Sequence, residues 1–101
     1  MSDRTVIYCL ATEEAPELNA IAARCREVCR SQGWEVVRHV RERDPDRPKL
    51  AALADEAAAG GIERVLFHTW DCMAAGPGIE DWHPQVYRLH RAGIRVSLAT
   101  V

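Results

Sequence analysis

The sequence predicts a single α/β domain built around a mostly parallel sheet. Strand-like and helix-like hydrophobic patterns alternate along the chain in the order β-α-β-α-β-α-β, with no linker or low-complexity segment between them. Strands that are joined through helices run parallel, with right-handed crossovers. The length of 101 residues is enough for one compact domain and too short for two.

Composition and charge exclude several classes of protein. Hydrophobic residues make up 48% of the chain and charged residues 28%, which supplies a core and argues against disorder. No apolar run approaches the roughly 18 residues of a membrane span, and residues 1–4 lack a signal-peptide pattern. We therefore expect a cytoplasmic protein without membrane contact. The net charge of −2 disfavours a stand-alone DNA-binding domain, because duplex binding depends on cationic contacts to phosphates.

The first strand and the first helix are predicted in the amino-terminal third. Residues 5–11 form a continuous apolar run that is β-branched and aromatic at its start, typical of a strand buried on both faces. Thr12, two acids and Pro16 indicate a helix start, with Thr12 as a capping or turn residue. The helix ends at Gly33. Its apolar face consists of Leu18, Ile21, Ala22, Cys25, Val28 and Cys29.

The middle of the chain predicts an edge strand followed by a second helix. Residues 34–41 alternate as a half-exposed strand. A polar loop over residues 42–47 leads to a helix that begins at Pro48 and ends before Gly60.

The last third predicts two more strands around a loop and a helix. Residues 64–68 are short and apolar, as in a central strand, and residues 71–78 are predicted as a loop. Residues 84–92 form the last helix, and residues 94–101 alternate as a fourth strand. Since ligands of parallel sheets gather at the carboxyl ends of strands, we expect any site near residues 10–14, 43–47 and 68–72 and the end of the fourth strand.

Several short motifs carry a family resemblance when they are taken in order. They are Val6-Ile-Tyr8, Thr12-Glu-Glu14, Gly33-Trp-Glu-Val-Val37, Asp46-Arg-Pro-x-Leu50, Arg64-Val-Leu66, Asp71 and Ala92-Gly-Ile-Arg-Val96. This set resembles the N-terminal catalytic domain of serine recombinases, the resolvases and invertases, over nearly the entire chain. The resemblance implies a three-layer resolvase-like α/β fold with a mostly parallel four-stranded sheet in the strand order 2-1-3-4.

The nucleophile motif of that family is altered in this chain. The family places a serine in the pattern Tyr-x-Arg-x-Ser at the end of the first strand, where it attacks a DNA phosphodiester. Without a gap, Leu10 stands at the arginine position and Thr12 at the serine position. A one-residue gap would instead place Ala11 at the nucleophile. Neither register supplies the serine.

The phosphate-binding arginines that the resemblance implies are also mostly replaced. The family pattern Asp-Arg-x-x-Arg reads Asp71-Cys-Met-Ala-Ala75 here, which keeps Asp71 and places Cys72 at the first arginine. Arg47 matches a third arginine and is kept. Losing one such donor costs roughly 100- to 1,000-fold in rate. We therefore expect no enzyme activity and no catalytic residue, but a vestigial pocket made of Leu10, Thr12, Arg47, Asp71 and Cys72.

Two other groups of residues allow a structural or a functional interpretation. A soft-metal or redox site at the strand ends would use Cys9, His68, Asp71, Cys72 and His83. The cysteine spacing matches no paired ligand motif, so we expect reduced structural cysteines, no metal and no cofactor.

An aromatic group comprises Trp70, Trp82, His83 and Tyr87. It is either a binding surface, or Trp82 packs the last helix onto the core while His83 caps that helix.

Three hypotheses for function follow. The first is a non-enzymatic protein-interaction or regulatory module, linked to DNA recombination by ancestry, that self-associates or binds a protein partner. The second is a small-molecule, anion or metal-binding domain that reuses the strand-end pocket. A third, weak DNA binding, is disfavoured by the charge and by the lack, up to Val101, of the family's dimer helix and helix-turn-helix. The candidate binding residues are Arg47, Trp70, Asp71, Trp82 and His83. An open pocket would favour the second hypothesis, and a collapsed apolar one the first.

Overall fold

A computed structural model of the chain describes residues 3–10, 18–76 and 78–99. The strands are β1 (Arg4–Leu10), β2 (Glu35–Glu42), β3 (Arg64–Phe67) and β4 (Arg95–Leu98). The helices are α1 (Leu18–Gln32), α2 (Pro48–Ala58), α3 (Trp70–Met73) and α4 (Pro84–Arg91). All strand pairs are parallel, and the order in the sheet is β2-β1-β3-β4. The predicted α/β fold class and strand order are therefore confirmed.

Helices cover both faces of the sheet, which produces the expected three layers. In β1 the side chains of Val6 and Tyr8 pack with α2 and α4 on one face, while Ile7 and Cys9 pack with α1 on the other. This arrangement explains why β1 is apolar at successive positions instead of alternating. Within the described residues, no helix is long and apolar enough to cross a membrane.

The structure corrects three predicted boundaries near the carboxyl edge of the sheet. Residues 70–73 form helix α3, which includes the first three residues of the predicted loop and is too short, at four residues, to show a hydrophobic period. Glu42, expected in a loop, is the last residue of β2, where it pairs with Leu10. The fourth strand is confined to β4, and residues 100–101 of its predicted span lie outside the described residues.

A charged cluster of Asp3, Arg64 and Arg95 lies at the amino end of the sheet. The carboxylate of Asp3 accepts hydrogen bonds from Arg64 at 2.8 Å and from Arg95 at 2.7 Å. The guanidinium of Arg64 also lies 3.9 Å from the ring centroid of Trp34, which is a cation–π contact. Hydrogen bonds from the two arginines hold the pKa of Asp3 below its usual 3.8. The cluster therefore joins the starts of β3 and β4 to the segment before β1.

Candidate ligand pocket at the carboxyl ends of the strands

An open cleft of about 590 Å³ lies at the carboxyl edge of the sheet. Its walls come from the end of β1, from the loop before α2 and from the segments on both sides of α3. The lining residues are Leu10, Pro45, Arg47, His68, Thr69, Asp71, Ala75, Gly76 and Gly78. The parallel sheet creates this cleft because β1 and β3 end side by side, with Tyr8 paired to Phe67. Its volume is in the range of small-molecule sites, roughly 300–1,000 Å³.

Arg47 lies in the wall of the cleft, and its position is fixed by both its backbone and its side chain. It has a left-handed backbone, with φ 55° and ψ 53°, directly before Pro48 at the start of α2. Its side chain is only 6% exposed. Nη1 donates to the carbonyl oxygen of Cys72 at 3.1 Å and Nη2 to that of Asp71 at 3.3 Å. Arg47 thus satisfies carbonyl groups at the end of α3 that have no partner within that helix.

The guanidinium of Arg47 forms no ion pair with a carboxylate in the described part of the chain. Its Nε atom is buried and makes no hydrogen bond there. None of the ion pairs among the described residues includes it. Because burying an unpaired charge is costly, a positive charge at this depth favours an anion nearby.

Asp71 and Cys72 lie next to each other in α3 but face different surroundings. Asp71 is exposed at the cleft. Cys72 is buried, and its Sγ atom accepts a hydrogen bond from the backbone N–H of Leu10 at 3.4 Å and contacts Oγ1 of Thr69 at 3.4 Å. Cys72 therefore connects α3 to the end of β1 beneath the cleft, whereas the carboxylate of Asp71 remains in contact with solvent.

A buried carboxylate positions the helix that follows Arg47. Oε1 of Glu42 accepts hydrogen bonds from the backbone N–H groups of Lys49 at 2.8 Å and Leu50 at 3.2 Å, and it lies 3.5 Å from the hydroxyl of Tyr8. Burial, followed by the negative charge of Glu42, raises the pKa of Tyr8. Glu42 acts as the cap that α2 lacks at its own N-cap position, where Arg47 makes no side-chain cap.

Histidines near the cleft are shifted toward their neutral form. The pKa of His68 is lowered by burial and, to a lesser extent, by the positive charge of Arg24. The pKa of His83 is lowered by burial and then by Arg47. His68, which lines the cleft, is therefore a neutral hydrogen-bonding group near neutral pH.

The structure brings together only some of the residues predicted for the site. Leu10, Arg47 and Asp71 line one cleft, and Cys72 lies directly beneath it. Thr12 falls outside the described residues. Trp70 is exposed at the start of α3 and does not line the cleft.

In the aromatic group around α4, Trp82 packs α4 onto the core and His83 caps it, which is the structural one of the two alternatives that the sequence allowed. Nδ1 of His83 accepts a hydrogen bond from the backbone N–H of Gln85 at 3.2 Å, so His83 caps α4. Trp82 packs against the core, with its ring centroid 5.3 Å from that of Tyr87 and 5.7 Å from that of His90. Neither residue lines the Arg47 cleft, and Trp82 lines a separate groove against β4.

The cysteines do not meet in the combination considered for a metal or redox site. Cys9 packs on the α1 side of the sheet and Cys72 on the opposite side. Among the described residues, no three histidine, cysteine or acidic side chains are grouped so that they could hold a metal ion. The neighbours of Cys9 are instead Cys25 and His39.

Glu42 and His39 are the two residues of interest that the sequence did not identify. An acid shortly before a proline that begins a helix is a signal for an N-terminal cap, and it could have indicated Glu42. His39 gave no such signal, because its contact with Cys9 depends on the register between β1 and β2.

Comparisons with known proteins identify no relative of this chain. No protein-family model matches the chain, and no significant match is found among curated proteins or among solved structures.

Proposed function

We propose that this chain is a catalytically inactive, serine-recombinase-like domain that works as a regulatory module and binds a small organic anion in the strand-end cleft. The observation that carries the proposal is Arg47, whose buried guanidinium lacks a carboxylate partner in the described chain and stands in the wall of an open cleft. The motifs from Val6 to Val96 support the recombinase ancestry as a resemblance.

The charge of the preferred ligand follows from the burial of the two charged residues in the wall. Arg47 is buried, whereas Asp71 is exposed. An interaction with a charge at low dielectric is several times stronger than the same interaction in water, and salt screens an exposed carboxylate. The cleft therefore favours a negative group placed against Arg47, since the exposed carboxylate of Asp71 is the more strongly screened of the two charges.

The size of the cleft favours a ligand larger than an inorganic ion. A volume of about 590 Å³ leaves most of the space unfilled by a single phosphate or carboxylate group. Leu10, Pro45 and Ala75 provide apolar wall, while Thr69 and His68 provide hydrogen-bonding groups. A carboxylate or phosphate monoester with a compact, partly apolar body suits this lining.

The residues at the phosphate-binding positions support the proposal that this chain does not cleave DNA strands. At positions where the resembled family uses arginines to neutralise a phosphodiester, this chain has Leu10 and Cys72. The remaining candidate, Arg47, already directs two of its N–H groups to backbone carbonyls. A phosphodiester would thus meet little of the charge stabilisation that its cleavage requires.

A chemical-shift titration tests the binding proposal. Phenyl phosphate added to the isotope-labelled protein should give saturable shifts in the backbone amides of residues 68–72 and 75–76. Benzyl alcohol, the neutral probe with the same ring, should not. Arg47→Gln should abolish the response while preserving the dispersed spectrum of a folded protein. Absence of saturable shifts with phenyl phosphate would refute the proposal.

A DNA-cleavage assay tests separately the proposal that the domain is catalytically inactive. Supercoiled plasmid incubated with the protein should remain unnicked, and no protein–DNA adduct should survive denaturation. A covalent phosphothreonine or phosphoserine linkage would show that strand cleavage persists and would contradict the proposal.

Self-association is a second candidate, favoured by the open edge of β2. In the described sheet β2 pairs with β1 alone, and its first half exposes Val36 and Val37. Unpaired strand edges with apolar side chains are templates for pairing with a further strand. Sedimentation equilibrium should show a dimer that Val37→Lys dissociates. A monomer at all concentrations would exclude this candidate and leave the ligand proposal intact.

A further inference from the structure

The face of the sheet opposite the cleft contains a group of three side chains that the proposed function does not use. Cys9 of β1 and Cys25 of α1 are both buried in one cluster, on the face of the sheet that α1 covers, and each thiol influences the pKa of the other. Nε2 of His39, on edge strand β2, lies 3.6 Å from Sγ of Cys9. His39 itself is half-buried, so the contact of Cys9 extends to a side chain that reaches the surface.

We propose that Cys9 and Cys25 form a peroxide-sensitive dithiol, in which hydrogen peroxide converts the two thiols to a reversible disulfide and His39 accepts the proton of Cys9. The proposal stands on the shared buried cluster of the two cysteines and on the contact between Cys9 and His39. It is independent of the ligand proposed for the cleft.

The surroundings of the two sulfur atoms assign them different roles. The pKa of Cys25 is lowered, chiefly by its hydrogen bond from Cys9 and further by the positive charges of Arg24 and Arg26. The pKa of Cys9 is raised by the same hydrogen bond and by burial. Because the thiolate is the reactive form and basic neighbours favour it, Cys25 is the attacking sulfur. Cys9 then serves as the resolving cysteine.

The reaction balances with peroxide as the only oxidant. The Cys25 thiolate attacks one oxygen of hydrogen peroxide, so that an S–O bond forms, the O–O bond breaks and the leaving hydroxide takes up a proton as water. Cys9 then passes its proton to Nε2 of His39 and attacks Sγ of Cys25. The S–S bond forms, the S–O bond breaks, and the second hydroxide receives the proton from His39. Two thiols and one peroxide give one disulfide and two waters.

His39 is suited to accept this proton. Burial lowers its pKa first, and the charges of Arg41 and Arg26 lower it further, so the ring is neutral near neutral pH. A neutral imidazole with Nε2 unprotonated can take the thiol proton directly across the 3.6 Å contact.

Cys29 provides a matched comparison on the same helix. It lies one turn after Cys25 on the same buried face, and it belongs to the same cluster. Burial raises the pKa of its thiol. Two cysteines four residues apart in a helix have Cβ atoms about 5–6 Å apart, beyond the roughly 3.5–4.5 Å of a disulfide, whereas Cys9 and Cys25 approach the same cluster from different elements.

Tryptic mapping of the intact, native protein tests the proposal, because arginines separate all four cysteines. Cys9 falls in peptide 5–24, Cys25 in 25–26, Cys29 in 27–30 and Cys72 in 65–88. Brief treatment of the reduced protein with hydrogen peroxide should lower the intact mass by two hydrogen atoms, measured before the remaining free thiols are alkylated for digestion. Peptides 5–24 and 25–26 should be joined, and dithiothreitol should release them.

Variants distinguish this pathway from general oxidation. Cys29→Ser should retain the cross-link and Cys25→Ser should lose it, with circular dichroism confirming the fold of each. His39→Gln should slow the second step, so that dimedone captures a Cys25 sulfenic acid that the wild type does not accumulate. The proposal is overturned if Cys9 and Cys25 remain reduced, if the cross-link includes peptide 27–30 or 65–88, or if each oxidised cysteine bears only oxygen.

Discussion

Nη1 of Arg47 lies 3.1 Å from the carbonyl oxygen of Cys72, so the loop before α2 is joined to the end of α3 across the cleft. The two residues are 25 positions apart in the sequence. Their contact depends on the parallel arrangement of β2, β1 and β3, which brings the segments that follow these strands to the same edge of the sheet.

Substitutions of Arg47 separate the contribution of its side chain from that of its backbone. Arg47→Ala should lower the free energy of unfolding by about 1.5–3 kcal/mol, because charged hydrogen bonds to buried carbonyls are lost. Arg47→Gly loses the same bonds but adopts φ 55° without steric strain. It should therefore be more stable than Arg47→Ala by about 1 kcal/mol. Urea unfolding followed by tryptophan fluorescence measures both, and a glycine variant no more stable than the alanine variant would contradict the backbone argument.

Glu42 should contribute to stability through the start of α2. Glu42→Gln removes the negative charge that accepts the N–H groups of Lys49 and Leu50. We expect a loss of about 1 kcal/mol in the free energy of unfolding. Glu35→Gln, an exposed position on the same strand, should change it by less than about 0.5 kcal/mol. Equal effects of the two substitutions in chemical denaturation would exclude the capping role.

Asp3 should make stability depend on pH in the acidic range. Its folded-state pKa is held below 3.8 by hydrogen bonds from Arg64 and Arg95. Its contribution is therefore fully present above the unfolded-state pKa and is lost as the pH falls through the lower folded-state value. Asp3→Asn should be less stable than the wild type at neutral pH, and the difference should shrink as the pH falls below 3.8.

Asp46→Asn serves as the control for this experiment, since Asp46 is exposed in the loop before α2. Thermal unfolding over a series of acidic pH values gives the comparison. A difference between Asp3→Asn and the wild type that stays constant with pH would show that the arginine cluster does not favour the charged form of Asp3.

The two tryptophans of the aromatic group should differ in their effect on stability. Trp82→Ala removes a partly buried ring that packs on Tyr87 and His90, and should cost about 2 kcal/mol. Trp70→Ala removes a ring that is 39% exposed, and should cost less than about 1 kcal/mol. If Trp70→Ala were the more destabilising variant in urea unfolding, Trp82 would not be the residue that holds α4 to the core.

Much of the fold could be predicted from the sequence because its elements have distinct hydrophobic periods. The apolar run of β1 and the stepwise stripe of α1 indicated their secondary structure correctly. The four residues of helix α3 make a single turn, too short to show a period, and the contact of Cys72 with Leu10 comes from a strand 62 positions away.

The site was less predictable, because it depends on which direction each side chain takes at the sheet edge. The strand-end rule correctly brought Leu10, Arg47 and Asp71 to one cleft. It could not reveal that Arg47 turns inward in a left-handed backbone, nor that Cys9 contacts His39 and shares a cluster with Cys25 on the other face. Both features are set by tertiary packing and not by residue spacing.

The resonance of the Arg47 Nε–H group tests the central claim most directly, because this group is buried and makes no hydrogen bond within the described chain. Nuclear magnetic resonance of the guanidinium Nε–H during a titration with phenyl phosphate follows it without a substitution. We expect the signal to shift in a saturable manner with phenyl phosphate and to remain in place with benzyl alcohol. A signal that is unchanged by phenyl phosphate, or that shifts equally with both probes, would contradict an anion site at Arg47.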